Sequence, residues 1–385
     1  MRNNTLVRCT AITAALLAIV AFAAPTSASA ASGWASMENT QKSSSLSYWT
    51  PEMIRSARPL PLPKISANAV AGNEIEADAA VEANGTPTGA DGAPPRYKVP
   101  ANLVTRDADY DAGEIAAARA ALEEYDAIEG DNFGTLNGQF SSSRVFPDAA
   151  TTAYPYLTVG KLFFTIPGQG NFICSGSVIK KRVILTAGHC VHSGNGQQNG
   201  FYSNFLFIPA YRNNVRPAGT WDWNYVAVTG TWFSGGASFP NAADYAMIEP
   251  KDLSGNLLGN VTGFLGFQTL KLFPNHAHLL GYPANLDSGE RMHQVTAQSL
   301  RKTNPNAVEY GSDMRGGSSG GPWVQNFGVV SSGQTGGSNT GSNRVIGITS
   351  YGFVSTTPLI QGSSVPDSRF TNLLNTICAH RSGNC

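Results

Sequence analysis

The sequence predicts an all-β protein with one helix at its C-terminal end, behind a long N-terminal region that is largely irregular. Two observations lead there. From Val145 onward, short apolar runs recur between turn residues: Tyr156 to Ile166, Phe172 to Ile179, Val183 to Thr186, Phe205 to Ile208 and Tyr225 to Val228, then His278 to Gly281, Val308 to Tyr310, Trp323 to Val324 and Val345 to Thr349. Runs of this length, separated by Gly-rich and Asn-Gly turns (Asn195-Gly196, Asn199-Gly200), read as the strands of a barrel or sandwich. Only near the end does the period change. Phe370, Leu373, Leu374 and Ile377 share one helical face, and Asp367 stands where an N-cap belongs.

The first 30 residues read as a secretory signal: Arg2 and Arg8, an apolar stretch from Ala11 to Ala24 too short to span a membrane comfortably, and a small-x-small site at Ala28-Ser29-Ala30. The mature chain is therefore expected outside the cell, where disulfides persist, and free of the membrane once the signal is removed. Cys9 leaves with the signal, so four cysteines remain: Cys174, Cys190, Cys378 and Cys385.

Residues 31–144 read as a prosegment. They hold a Pro-rich patch (Arg58-Pro59-Leu60-Pro61-Leu62-Pro63), a Gly/Pro/Ala linker from Asn84 to Pro95 and a short helical run between Gly113 and Ile128. No independent core is evident there, so a disordered spacer and an inhibitory or folding-assisting propeptide are the two readings; size and charge favour the second. The formal net charge of the whole chain is +0, which points to neither nucleic acid nor an acidic surface as partner. That balance hides an asymmetry: residues 31–144 carry 9 basic and 16 acidic side chains, residues 145–385 carry 15 and 10. The two parts are expected to attract one another.

Three stretches carry chemistry. In Gly316-Gly317-Ser318-Ser319-Gly320-Gly321-Pro322, glycines allow the turn that presents a serine Oγ together with backbone N–H groups, as acyl transfer requires. In Leu185-Thr186-Ala187-Gly188-His189-Cys190, a histidine follows a strand, and its imidazole titrates where a general base must. In Asp244-Tyr245-Ala246-Met247-Ile248, an aspartate leads an apolar strand, where its carboxylate would need a partner; Asp222, between two tryptophans, competes for the role. A Cys174–Cys190 bridge would stabilise the fold by roughly 3 kcal/mol and restrict His189. Zinc bound by Cys174, Cys190 and His192 is the weaker alternative, because CxxC pairs are absent. Cys378 and Cys385 are read as a second bridge. His276 and His278 would share a strand face, but with no third ligand they read as structural, and no metal or other cofactor is expected.

These three motifs, in the order His, Asp, Ser, resemble the chymotrypsin-fold serine proteases, from about Val145 to Phe370. Thr151 to Tyr156 and the site Arg144-Val145 further resemble the bacterial glutamyl endopeptidase branch. The resemblance implies two six-stranded antiparallel β-barrels, over about residues 145–255 and 256–366, then the helix over 367–378. It implies Ser319 as nucleophile, His189 as base, Asp244 as its orienting acid, and the N–H groups of Gly317 and Ser319 as the oxyanion hole. Ser350, Tyr351 and Gly352 would pair with substrate backbone. Protein or peptide substrates, an intramolecular inhibitory prosegment and a monomer complete the expectation.

Specificity is read from four residues. Asp313, six before Ser319, stands where trypsin-like enzymes bind Lys or Arg. Thr349 falls where glutamyl endopeptidases place a histidine, Met314 where they place a small hydroxyl residue, and Arg315 could neutralise Asp313 or receive an acidic side chain. The balance favours Lys or Arg; a Glu/Asp preference and a non-catalytic, protein-binding relative are the alternatives. Ser318 replaces the aspartate that pairs with the new amino terminus in the trypsin group, so that ion-pair switch is absent.

Overall fold

The computed structural model describes residue 1 and residues 33–41, 43–65, 83–104, 138–328, 341–353 and 359–385. The expected signal segment and the expected helix between Gly113 and Ile128 lie outside the described residues. Five strands belong to the N-terminal region: β1 (Trp34–Glu38), β2 (Arg58–Pro59), β3 (Lys64–Ile65), β4 (Gly89–Ala90) and β5 (Phe140–Arg144). Six follow: β6 (Val159–Ile166), β7 (Gly170–Lys180), β8 (Val183–Thr186), β9 (Ser203–Pro209), β10 (Trp221–Thr229) and β11 (Ala246–Pro250). The second half supplies β12 (Gly266–Gln268), β13 (His276–Gly281), β14 (His293–Thr303), β15 (Ala307–Gly311), β16 (Pro322–Gln325), β17 (Arg344–Ile348), β18 (Tyr351–Phe353) and β19 (Ile360–Ser364).

The strands β6 to β11 close into a six-stranded antiparallel barrel, in the order β10-β11-β8-β7-β6-β9, with β9 pairing back to β10. Closure leaves no edge unpaired among these six. Their side chains are buried nearly throughout, which explains why the sequence reads there as continuous apolar runs rather than as strict alternation. The second half forms a sheet in the order β18-β19-β15-β14-β13-β16-β17-β12. Among the described residues no pairing joins its ends, and β12 runs parallel to β17. The second closed barrel expected from the resemblance is thus seen as a sheet. Lys161, buried in β6, links the halves by donating from Nζ to Glu290 at 2.7 Å. Burial lowers its pKa, and the Glu290 carboxylate opposes that.

The C-terminal helix spans Ser368–His380, slightly longer than expected. Asp367 caps it by accepting from the Arg369 N–H at 2.9 Å, and Phe370, Leu373, Leu374 and Ile377 are its buried face.

The described part of residues 31–144, the expected prosegment, is less irregular than its composition suggests. β1 adds to β10 antiparallel, β4 to β12 antiparallel and β5 to β14 antiparallel, while β2 runs parallel to β7 and β3 parallel to β18. Trp49, Ile54, Leu62, Ile65 and Leu103 are buried against the body; each such side chain contributes about 1.5–3 kcal/mol on transfer from water. Strands β2, β3 and β4 have two residues each, too short to have a period, so their pairings left no trace in the sequence pattern. The expected maturation bond, Arg144–Val145, follows directly on a paired strand. Arg144 pairs in register with His293 and donates from Nε to Asp287 at 2.8 Å, while Val145 is buried and donates its N–H to Met292. Cutting there requires β5 to come away from β14.

Candidate active site

His189 sits in a short turn, Gly188–Cys190, just beyond the end of β8. Its backbone N–H donates to Asp244 Oδ1 at 2.9 Å, and its Nδ1 lies 2.8 Å from Asp244 Oδ2. One carboxylate thus holds both the backbone and the ring of the histidine. Asp244 is fully buried just ahead of β11, and β11 pairs with β8, which places acid and base side by side. The turn needs glycine at 188: a Cβ there would lie 2.7 Å from Trp232 and 3.0 Å from Asp244 Oδ1. The rings of Trp232 and Phe239 stand 6.0 and 5.7 Å from the imidazole, edge-on, and limit its water. The Cys174–Cys190 disulfide anchors the next residue to β7, and Cys378–Cys385 closes the tail.

Ser319 comes from the other half. Its carbonyl accepts from the Ser175 N–H of β7 at 2.8 Å, and the neighbouring Gly317 carbonyl accepts from Ser175 Oγ at 2.9 Å. Gly320 has φ +78° and packs so closely on the first barrel that a Cβ would collide with Thr186, the Ser175 carbonyl and the Ala187 nitrogen. This contact, two residues from His189, brings the serine turn to the base. Ser319 Oγ and His189 Nε2 are both buried and both without a hydrogen-bond partner. A buried hydroxyl and a buried imidazole nitrogen, with the ring's other nitrogen on a carboxylate, are the groups that nucleophilic acyl transfer would call on.

Three residues have supporting contacts that had no signal in the sequence. Ser175 ties the serine turn to the barrel, as above. Ser350, expected to touch substrate, donates from Oγ to Asp244 Oδ2 at 2.5 Å, so its side chain supports the acid. Gln361, in β19, donates to the Met314 carbonyl at 2.9 Å and to Ser318 Oγ at 3.0 Å, and accepts from Ser312 at 2.8 Å. Ser318 in turn donates to the Arg315 carbonyl at 2.7 Å. Neutral hydrogen bonds thereby hold the position where the trypsin group uses an ion pair.

The other expected residues divide. Gly352 is in β18, and its N–H donates to Pro63 at 2.8 Å. Tyr351 is buried, with its hydroxyl on Glu309 and Thr303. Met314 lies in the second hydrophobic core, and Thr349 Oγ1 accepts from Trp323 Nε1 at 2.9 Å. Asp313 is buried beside Arg315; burial lowers the arginine's pKa and the Asp313 charge pulls it back up. Asp222 is occupied elsewhere, by Ser44, Lys251 and the Trp223 N–H. His192 has Nε2 on the Gln197 carbonyl and Nδ1 on the Gly194 N–H, a structural histidine. Among the described residues, the one group with metal-ligand spacing is Cys174, His189 and Cys190, and its two sulfurs are joined to each other.

Comparison with known proteins bears on the fold. Residues 174–331 match the trypsin-like peptidase domain. An extracellular metalloprotease of Bacillus subtilis, so named, is 26% identical over 184 residues, 46% of this chain and 55% of the relative; the chain thus spans about half of that relative's length. Among solved structures, the thermostable serine protease AL20 from an extremophilic microorganism is 24% identical, covering 61% of this chain and 100% of its own, with a TM-score of 0.50. The protease Anisep from Arthrobacter nicotinovorans is 28% identical, covering 57% of this chain and 94% of its own, with a TM-score of 0.48. Residues 174–331 are thus similar to a trypsin-like peptidase domain, and the fold is of the chymotrypsin type.

Proposed function

We propose that the protein is a secreted serine endopeptidase, made with an N-terminal segment that restrains it. Ser319 Oγ attacks the substrate carbonyl while His189 Nε2 takes its proton, and the same proton passes to the leaving amine as the acyl-enzyme forms. Water then repeats the sequence to release the acid. Asp244 holds the Nδ1–H tautomer and stabilises the imidazolium. The N–H groups of Gly317 and Ser319 receive the oxyanion. One observation carries this reading: Asp244 grips His189 through both oxygens, and the free nitrogen of that ring is buried and unbonded, as is Ser319 Oγ. Two disulfides support an oxidising, extracellular destination.

For specificity, the buried carboxylate of Asp313 favours Lys or Arg before the scissile bond. Arg315 beside it favours the second reading, an acidic residue there. Cleavage of a peptide library by the processed protein decides between them. Cuts after Lys and Arg are expected, and cuts after Glu and Asp would assign the pocket to Arg315. The Ser319→Ala protein should lose about 10⁵–10⁶-fold in kcat, and full activity in that variant would remove the enzyme assignment altogether.

A further inference from the structure

The Pro-rich patch of the prosegment lies in the cleft. The Leu60 carbonyl accepts from the Gly317 N–H at 3.1 Å, the donor assigned above to the oxyanion, and the Leu60 N–H donates to the Ile173 carbonyl at 3.0 Å. The chain then passes over Gly316, where a Cβ would lie 2.9 Å from the Leu60 oxygen and 3.4 Å from the Leu62 nitrogen. Leu62 is 3% exposed and rests on Gly352, where a Cβ would meet its Cδ2 at 2.6 Å. The Pro63 carbonyl accepts from the Gly352 N–H at 2.8 Å, and β3 continues parallel along β18, Lys64 opposite Gly352 and Ile65 opposite Phe353. At the other end, the Arg58 guanidinium stands 4.7 Å over the Phe172 ring and donates to the Gln169 carbonyl.

We propose that Arg58–Ile65 is a built-in inhibitory strap, protected from the cleft it fills by its alternating prolines. This rests on the serine endopeptidase reading and gives it a residue-level restraint. The alternation suits the site. Leu60 must donate an N–H and is not proline, whereas Pro59, Pro61 and Pro63 need only accept. Prolines also hold the free segment extended, so less freedom is lost on seating it. The carbonyl on the oxyanion donor is followed by Pro61. Acylation of Ser319 there would break the Leu60 C–Pro61 N bond and require His189 to protonate a nitrogen that carries a ring carbon in place of hydrogen. That carbon crowds the approach. The half that would leave, Pro61 to Ile65, also stays held on β18 through Pro63, Lys64 and Ile65, where it is kept for the reverse reaction. The strap therefore covers the catalytic donor without serving as a good substrate.

The test is the rate at which a serine-directed fluorophosphonate labels the full chain, the full chain carrying Leu62→Asp, and the processed protein. A carboxylate has no partner at the Leu62 seat and should expel the strap. Labelling of the variant full chain is expected to be about tenfold or more faster than that of the unaltered full chain, approaching the processed protein. Equal rates in all three overturn the strap alone; absence of labelling in all three overturns it together with the nucleophile assignment. A second measurement avoids any folding defect in the variant. The synthetic peptide of residues 58–65 should inhibit the processed protein and survive incubation, while the same peptide with Pro61→Ala is cut after Leu60. No inhibition, or equal cutting of both peptides, overturns the proposal.

Discussion

The two sides of the proposed site are built by different means. On the side of the proposed base, side chains do the positioning: Asp244 holds His189 by backbone and ring, Ser350 holds Asp244, and a disulfide holds the adjacent residue, with His189 and Asp244 both drawn from one closed barrel. On the side of the proposed nucleophile the backbone does it. Glycines at 316, 317, 320 and 321 let the turn form, and the Ser319 carbonyl is fixed by an N–H from the opposite half. The base pair is thus a property of one barrel, whereas the nucleophile's place is a property of the contact between halves. Chemistry should be most sensitive to side-chain changes on the first side, and folding to backbone changes on the second.

The largest effect expected is on the base side. Asp244→Asn keeps the shape but loses the charge that fixes the tautomer, so kcat should fall about 10⁴-fold with the thermal midpoint little altered. A loss under about tenfold would show that the imidazole is oriented by something else. A smaller but different effect is expected across the cleft. Gly320→Ala forces a left-handed conformation on a residue with a Cβ and drives that Cβ into Thr186 and Ser175. The cost should be about 3 kcal/mol or more of stability, read from denaturant unfolding of the Ser319→Ala background so that self-digestion does not interfere. An unchanged midpoint would mean that the serine turn does not pack on the first barrel, and the contrast between the two sides would fail.

The same contrast explains what was legible in the sequence. His189, Asp244 and Ser319 stand in local contexts with a mechanical meaning: a turn after a strand, an acid at a strand start, a serine among glycines. The apolar runs gave the strand positions well, including Val183–Thr186 to the residue, because they are long and bounded by turns. Tyr156 was drawn into a strand that starts at Val159, since Tyr156–Thr158 form a helical turn behind Pro155. Single hydroxyls and amides have no such context. Ser175, Ser350 and Gln361 act through partners 144, 106 and 43 positions away or nearly so, and a pattern read along the chain does not contain those distances. Met314 packs in the second hydrophobic core and Thr349 is held by Trp323, contacts that a pattern read along the chain does not contain either. The strands β2 and β3 were hidden for the reason that makes them suit the cleft. The prolines in β2 and between β2 and β3 carry no strand period, and the pairing of both strands is supplied by the body.

One measurement reaches the central claim most directly. The processed protein is treated with a fluorophosphonate and the adduct is mapped by mass spectrometry, in parallel with His189→Ala. A single adduct on Ser319, formed quickly by the unaltered protein and lost in the histidine variant, is the expected result. An adduct on another residue, or one on Ser319 that forms equally fast without His189, would contradict the account.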